Sequence, residues 1–398
     1  MKIDWKQILV SLPCLFLLTA CPDALAQVDD HARILINAAG DSTKNGAVFT
    51  PATAAKLDNF LNQKYAEGNM VGYGFEVVER GHVVFQRTFG KADLTSRAPV
   101  TGRTIFGLAS ITKTFTGLAI LYLMENHKLT LNDRISNYLT DAPKEWKNIT
   151  ILELASMTAG FPHDVQRSDM PWKEQYEEIK HQPLDFEPGT KFQYSNLSYR
   201  LLGNIIEKIT GHSYLDVIHD VVLDPFDMSL TGTIEQSEGT GKLATPYVKR
   251  ANGFTPIKYK PSVCNFSAGM LASTLDDMGR YVSGLMENRF PRSSSFGWLW
   301  FTRPDLPNHT PNPWAFGWGH KSRGHGLPER DTMNGGLPGV SSSVIVCPND
   351  RLAIVALSNV RSKAIASIAP QALRIIYNQA PGADAAREGE ADQLDQAR

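Results

Sequence analysis

The segment Ser110-Ile111-Thr112-Lys113 sets a hydroxyl and an amine three residues apart where an apolar-periodic stretch begins. On a helix that spacing brings both side chains to one face, one turn apart, where a desolvated neutral lysine can take the serine proton. The helix start adds backbone N–H groups and the positive dipole end beside the charge that develops on an attacked carbonyl. Alone the pattern is weak, because composition predicts S-x-x-K about once in a chain of this size, mostly on solvated helix faces. Tyr194-Ser195-Asn196 follows 84 residues later, after a Pro188-Gly189 turn and before a second helical pattern. A phenol near an ammonium can serve as acid or base, and an amide can orient both the lysine and a carbonyl. A buried tyrosine beside a turn asparagine would give the same triplet. A third segment, Met333 to Ser342, places Asn334, Gly335 and Gly336 ahead of a strand pattern. Missing side chains there let a substrate approach the backbone, and an edge N–H could complete an oxyanion hole with the N–H of Ser110; a tight hairpin turn would read alike.

The elements that must carry these groups follow from periodicity. Val71 to Glu79 and His82 to Phe89 flank Arg80-Gly81 as a hairpin, and Val340 to Cys347 pairs with Leu352 to Leu357 across Pro348-Asn349-Asp350. Between them the spacing turns helical, as in Phe115, Leu118, Ala119, Tyr122 and Leu123, or Leu201, Ile205, Ile206 and Ile209. Helices inserted into an antiparallel sheet explain this order better than tandem domains, since each outer strand pair would otherwise lack a sheet to join. The expected fold is therefore α/β, with an antiparallel sheet from both chain ends, flanking helices and an inserted all-α region. Its boundaries are an α/β part over 55–125 and 262–378 and a helical part over 126–261, closed by a helix after Ile365. Arg292 to Trp314 reads as a loop whose Trp298, Trp300 and Trp314 either line a pocket or pack at the surface.

S-x-x-K, Y-x-N after Glu187 to Gln193, and Gly335-Gly336-Leu337-Pro338-Gly339-Val340-Ser341-Ser342 together resemble the β-lactamase-related serine hydrolases, the class C β-lactamase and penicillin-binding-protein-like family. Flanking segments extend the likeness: Leu131 to Arg134, Ile149 to Leu154, Met157 to Phe161, and Ser267 to Thr274. The resemblance covers about residues 55 to 378. It implies a β-lactamase/transpeptidase-like fold, Ser110 as nucleophile, Lys113 as its base, Tyr194 as proton shuttle and Asn196 as orienter. Gly336 with Ser110 would supply the oxyanion donors, Asn334 and Gly335 belong to the third motif, and an acyl-enzyme route needs neither metal nor cofactor. Two positions depart from the pattern. Met333-Asn334-Gly335 stands where relatives carry Lys-Thr-Gly or His-x-Gly, and Met157 where many carry histidine. A thioether cannot hold a substrate carboxylate, and losing such a charge-assisted contact costs about 1.5–3 kcal/mol. Arg323 or His325 could substitute, although a solvated loop charge is the plainer reading. The expectation is an esterase, with a D-amino-acid peptidase or β-lactamase as alternatives. A non-hydrolytic binder of penicillin or cell-wall fragments and an acyltransferase remain readings of another class.

Residues 1–26 have the charged, apolar and A-x-A order of a signal peptide, which predicts an exported protein, periplasmic or secreted. Leu18-Thr19-Ala20-Cys21 also resembles a lipobox, so membrane attachment is expected only if Cys21 is lipidated. Residues 27–54 form an N-terminal extension, and 379–398, almost devoid of apolar groups, a disordered tail. Cys264 and Cys347 are expected as two buried thiols, and no spacing of metal ligands is legible. The chain of 398 residues is 42% hydrophobic and 20% charged with a net charge of −1. That excludes a polyanion binder and leaves a small ester, amide or peptide as partner, with no nucleic acid and with the oligomeric state open.

Overall fold

The computed structural model describes residues 48–163, 170–287, 293–307 and 309–378. The expected signal segment with Cys21, most of the 27–54 extension and the expected tail lie outside them. Helix α1 (Pro51–Ala66) starts at Thr50, whose Oγ1 accepts the Thr53 N–H at 3.1 Å, with proline in the first turn where its missing N–H costs nothing. Strands β1 (Gly72–Glu79) and β2 (His82–Gly90) form the expected hairpin. Arg80 and Gly81 both take positive φ, 53° and 82°, the conformation a tight two-residue turn requires.

Next come β3 (Phe106–Gly107), α2 (Thr112–Glu125), α3 (Ile151–Ala155), α4 (Trp172–Ile179), α5 (Asn196–Thr210) and α6 (Tyr214–Ile218). They are followed by β4 (Gly232–Thr233), α7 (Ile234–Ser237), β5 (Tyr247–Arg250), β6 (Gly253–Pro256), α8 (Ser262–Asn265), β7 (Leu271–Ser273) and α9 (Leu275–Met286). The chain closes with α10 (Ser293–Trp300), β8 (Trp314–Ala315), β9 (Trp318–Lys321), β10 (Arg330–Leu337), β11 (Val340–Cys347), β12 (Leu352–Ser358) and α11 (Lys363–Ile376).

A seven-stranded antiparallel sheet runs β2-β1-β12-β11-β10-β9-β8, so strands from both chain ends meet at its centre. Period-two alternation sorts its side chains into two cores. Phe75, Ile345, Cys347, Ile354 and Ala356 face α1 and α11, while Val344, Val346, Val355 and Leu357 face the core built on α2, α5 and α9. Two sequence expectations need correction. The inserted region is not all-α, because it contributes β4 to a small sheet with β3 and β7 and holds the β5–β6 hairpin. The Asn252-Gly253 turn, with Gly253 at φ 114°, was its legible sign. Residues 293–300 are helical rather than loop, since Leu299 and Trp300 have core to bury against, Trp300 packing on Trp318 at 5.2 Å. Cys264 and Cys347 are both buried. No helix among the described residues is long and apolar enough to cross a membrane.

One buried acid makes the fold pH-sensitive. Burial pushes the Glu76 carboxyl up to about 7; the Gln86 hydrogen bond opposes the rise, Asp276 adds to it and Arg280 opposes it. The folded state thus holds a proton that the unfolded chain has released between its ordinary value of 4.5 and about 7. Stability is highest below that window and falls as pH rises through it. Glu76→Gln is expected to stabilise the protein at pH 8 by on the order of 2–3 kcal/mol relative to its effect at pH 4. Urea unfolding of both proteins at the two pH values checks this, and an equal effect at both would refute it.

Candidate active site

Ser110 sits in a single 3-10 turn, Ala109–Ile111, between β3 and α2. The turn is held to β7 through the Leu108 N–H to Leu271 O (2.8 Å) and through Thr112 Oγ1, which accepts the Leu271 N–H (3.1 Å). Ala109 takes φ 47°, a left-handed value uncommon outside glycine, and this sharp entry leaves Ser110 half-exposed while Ile111 turns into the core. Helix α2 is buried on nearly every side and carries Lys113 inward, fully covered. Its packing depends on glycines: a Cβ on Gly117 would lie 2.0 Å from Phe316 O, and one on Gly317 2.5 Å from the Lys113 backbone. The β8–β9 turn therefore presses directly on the lysine's helix.

Among the described contacts, Lys113 Nζ meets Asn196 Oδ1 at 2.7 Å, Ala268 O at 2.8 Å and Ser110 Oγ at 3.3 Å. Asn196 Oδ1 and the carbonyl can only accept, so they hold two N–H groups. Only Ser110 can reverse direction, accepting from an ammonium or donating its proton to a neutral amine. The geometry thus aims the lone pair of a neutral lysine at the serine hydroxyl.

Tyr194 is buried with its ring centroid 5.0 Å from Lys113 Nζ, and Trp314 packs edge-on against it at 5.4 Å. Trp314 is itself fixed by donating to Tyr199 OH (3.1 Å), so this aromatic of the 292–314 stretch buttresses the site. The Tyr194 loop hangs on the preceding segment: Gln193 N–H donates to Met157 O (3.0 Å), and Gly189 N–H to Thr158 O (2.8 Å). Asn196 is the first residue of α5, which fixes its amide beside the lysine.

On the opposite wall, β10 pairs with β9 only at Arg330, Asp331 and Thr332, so in the β9–β10 register Met333 to Leu337 carry no partner on that edge. Gly335 lies against the Ser110 turn, where a Cβ would be 2.2 Å from Leu108 O, and Ser342 Oγ donates to the same carbonyl at 2.7 Å. The strand is thereby clamped to the turn that bears Ser110, and Gly336 follows at its open end.

The structure brings Ser110, Lys113, Tyr194, Asn196, Gly335 and Gly336 together but separates Asn334, whose side chain is on the other sheet face beside Lys321, Arg330 and Pro370. Alternation along β10 is the reason, because neighbours on a strand point to opposite sides. Met157 and Met333 are 1% and 2% exposed and belong to the same core cluster as Tyr194. Arg323 and His325 are exposed on the loop before β10. The cation beside Gly336 is Arg361, whose guanidinium carbon lies 3.6 Å from the point a Gly336 Cβ would occupy, on the sheet face that Gly336 shares with Asn334 and at the edge of β10 rather than against the Ser110 turn. Sequence reasoning missed it, although the register held the signal. Gly336 pairs with Ser341 and Ser341 with Ser358, which puts the residues just past β12 at the same end of the sheet.

The beta-lactamase family profile matches residues 57–376. Protein flp of Staphylococcus aureus strain MW2 is 29% identical over 332 residues, covering 77% of this chain and 63% of that protein. Penicillin-binding protein 4* of Bacillus subtilis is 27% identical over 306 residues, covering 71% of this chain and 66% of that protein. This chain thus spans about 63% of the length of flp. Among solved structures, the octameric penicillin-binding protein homologue from Pyrococcus abyssi superposes with a TM-score of 0.72 at 24% identity, over 82% of this chain and 77% of that one. FmtA from Staphylococcus aureus does so at 0.69 and 22%, over 83% and 92%. The matched range runs through the serine turn, the lysine helix, the tyrosine loop and the glycine strand, and the chain belongs to the beta-lactamase family.

Proposed function

We propose that the protein is a serine acyl hydrolase that cleaves an ester through an acyl-enzyme on Ser110. The reading is carried by the Lys113 contacts, in which Asn196 Oδ1 and Ala268 O can only accept while Ser110 Oγ, 3.3 Å away, can give up its proton. Ser110 Oγ attacks the carbonyl carbon as its proton passes to Lys113 Nζ, and the oxyanion is taken by the N–H groups of Ser110 and Gly336. The bond to the leaving alkoxide breaks as Tyr194 delivers a proton to it. Water then attacks the acyl carbon as its proton goes to the Tyr194 phenolate, and the Ser110 Oγ–acyl bond breaks as Lys113 returns its proton to Oγ, releasing the acid, while Asn196 keeps lysine and carbonyl in register. Export directed by residues 1–26, to the periplasm or medium, is part of the proposal, with a membrane tether only through Cys21.

An uncharged substrate is favoured because β10 brings no basic side chain to the site from Met333, Asn334 or Gly335. Arg361 beside Gly336 favours a second reading, a peptidase or β-lactamase whose substrate carboxylate passes the unpaired edge of β10 to reach the guanidinium. Comparison of kcat/KM for p-nitrophenyl butyrate and nitrocefin in wild type and Arg361→Gln separates the two. The ester reading expects the butyrate to be the better substrate. The second expects nitrocefin to lead and to lose about 10- to 100-fold in the variant, the worth of one charge-assisted contact.

A further inference from the structure

We infer that the cavity beside Ala109 is an acyl pocket selecting an apolar acyl group of about six to eight carbons or phenylacyl size. The inference rests on the acyl-enzyme reading and names its substrate class. The cavity measures ≈ 240 Å³. An apolar cavity of roughly 150 Å³ already holds a benzene molecule, so the space exceeds what an acetyl group can use.

Its position ties it to the chemistry on three sides. Ala109 comes directly before Ser110 and Gly107 two residues earlier, Leu337 and Pro338 directly after Gly336, and Gly269 and Met270 directly after Ala268, whose carbonyl holds Lys113. The remaining wall joins the apolar Ile234, Ile257, Leu271 and Val340 to Lys258 and Lys260, both exposed to solvent. Two glycines shape its wall: a Cβ on Gly107 would press on Val340 Cγ2 at 3.0 Å, and one on Gly269 would lie between Asn265 and Ala109. A chain bound through its carbonyl carbon at Ser110 therefore has this recess one residue away, at Ala109. Ile257 is half-buried on the segment between β6 and α8, remote in sequence from the reacting groups, and lines the cavity.

The test is kcat/KM for p-nitrophenyl acetate, butyrate, hexanoate and octanoate with wild type, Ile257→Trp and Ile257→Ala. Wild type should gain about fourfold per methylene until the recess is full. Tryptophan should lower the hexanoate-to-acetate ratio at least about tenfold, and alanine should move the optimum to a longer chain, opposite shifts that general damage to the fold would not give. Equal ratios in all three proteins would overturn the pocket. If wild type turns over none of the esters, the ester reading fails. The pocket is then read from Ser110 phosphonylation by methyl and hexyl fluorophosphonates, with the same ratios expected and the same equality overturning it. A protein that neither turns over nor takes the label at Ser110 overturns both.

Discussion

Ser110→Ala is expected to lower turnover of p-nitrophenyl butyrate by about 10⁴-fold or more while leaving the melting temperature nearly unchanged. Both halves follow from where the hydroxyl lies. It is half-exposed and its one described hydrogen bond is the long 3.3 Å contact with Lys113, so removing it costs the fold little. The backbone donors and the pocket survive in the variant, which accounts for a residual rate above water rather than none. Steady-state kinetics and thermal unfolding on the same preparation check the pair of results. A loss of stability matched to the loss of rate would instead make Ser110 a structural residue.

Lys113→Met carries the second large effect and should hit stability as well as rate. The side chain is wholly buried, and its removal strands Asn196 Oδ1 and Ala268 O without their donor. Each buried acceptor left unmade costs about 1–3 kcal/mol, so a loss of on the order of 2–5 kcal/mol is expected. Acylation should slow by about 10²–10⁴-fold, the usual worth of a positioned base. Because the lysine acts on a proton and not on the substrate's bound groups, the loss should fall on kcat with KM little changed. Stopped-flow release of p-nitrophenolate and urea unfolding test the two parts. A variant that folds less well yet acylates at the wild-type rate would exclude the lysine as base.

Much of this site was legible because its parts are local. S-x-x-K specifies a single helical turn, Y-x-N a turn entering a helix, and the paired glycines a strand that must approach another backbone, so short segments announce their geometry. The sheet was legible for a similar reason, since Arg80-Gly81 and Pro348-Asn349-Asp350 each join strands adjacent in sequence. The misses arise where meaning depends on distant partners. Asn334 reads as part of the third motif, yet strand alternation turns it to the α11 face, and no pattern within the motif reports which face is the cleft. Met157 reads as a lost substrate contact, whereas its side chain fills core and its backbone carbonyl anchors Gln193. Arg361 became visible only once β10, β11 and β12 were in register. Trp314, left between pocket and packing by composition, packs on Tyr194 because the β8–β9 turn seats on Gly117.

The most direct test of the account is intact mass after rapid acid quench of wild type and Ser110→Ala mixed with excess p-nitrophenyl butyrate. The acyl-enzyme reading expects a transient gain of one butyryl group on the wild type, located by peptide mapping to Ser110, appearing with the first release of p-nitrophenolate and absent from the variant. Turnover without any adduct during the burst, or equal turnover by the variant, would contradict it.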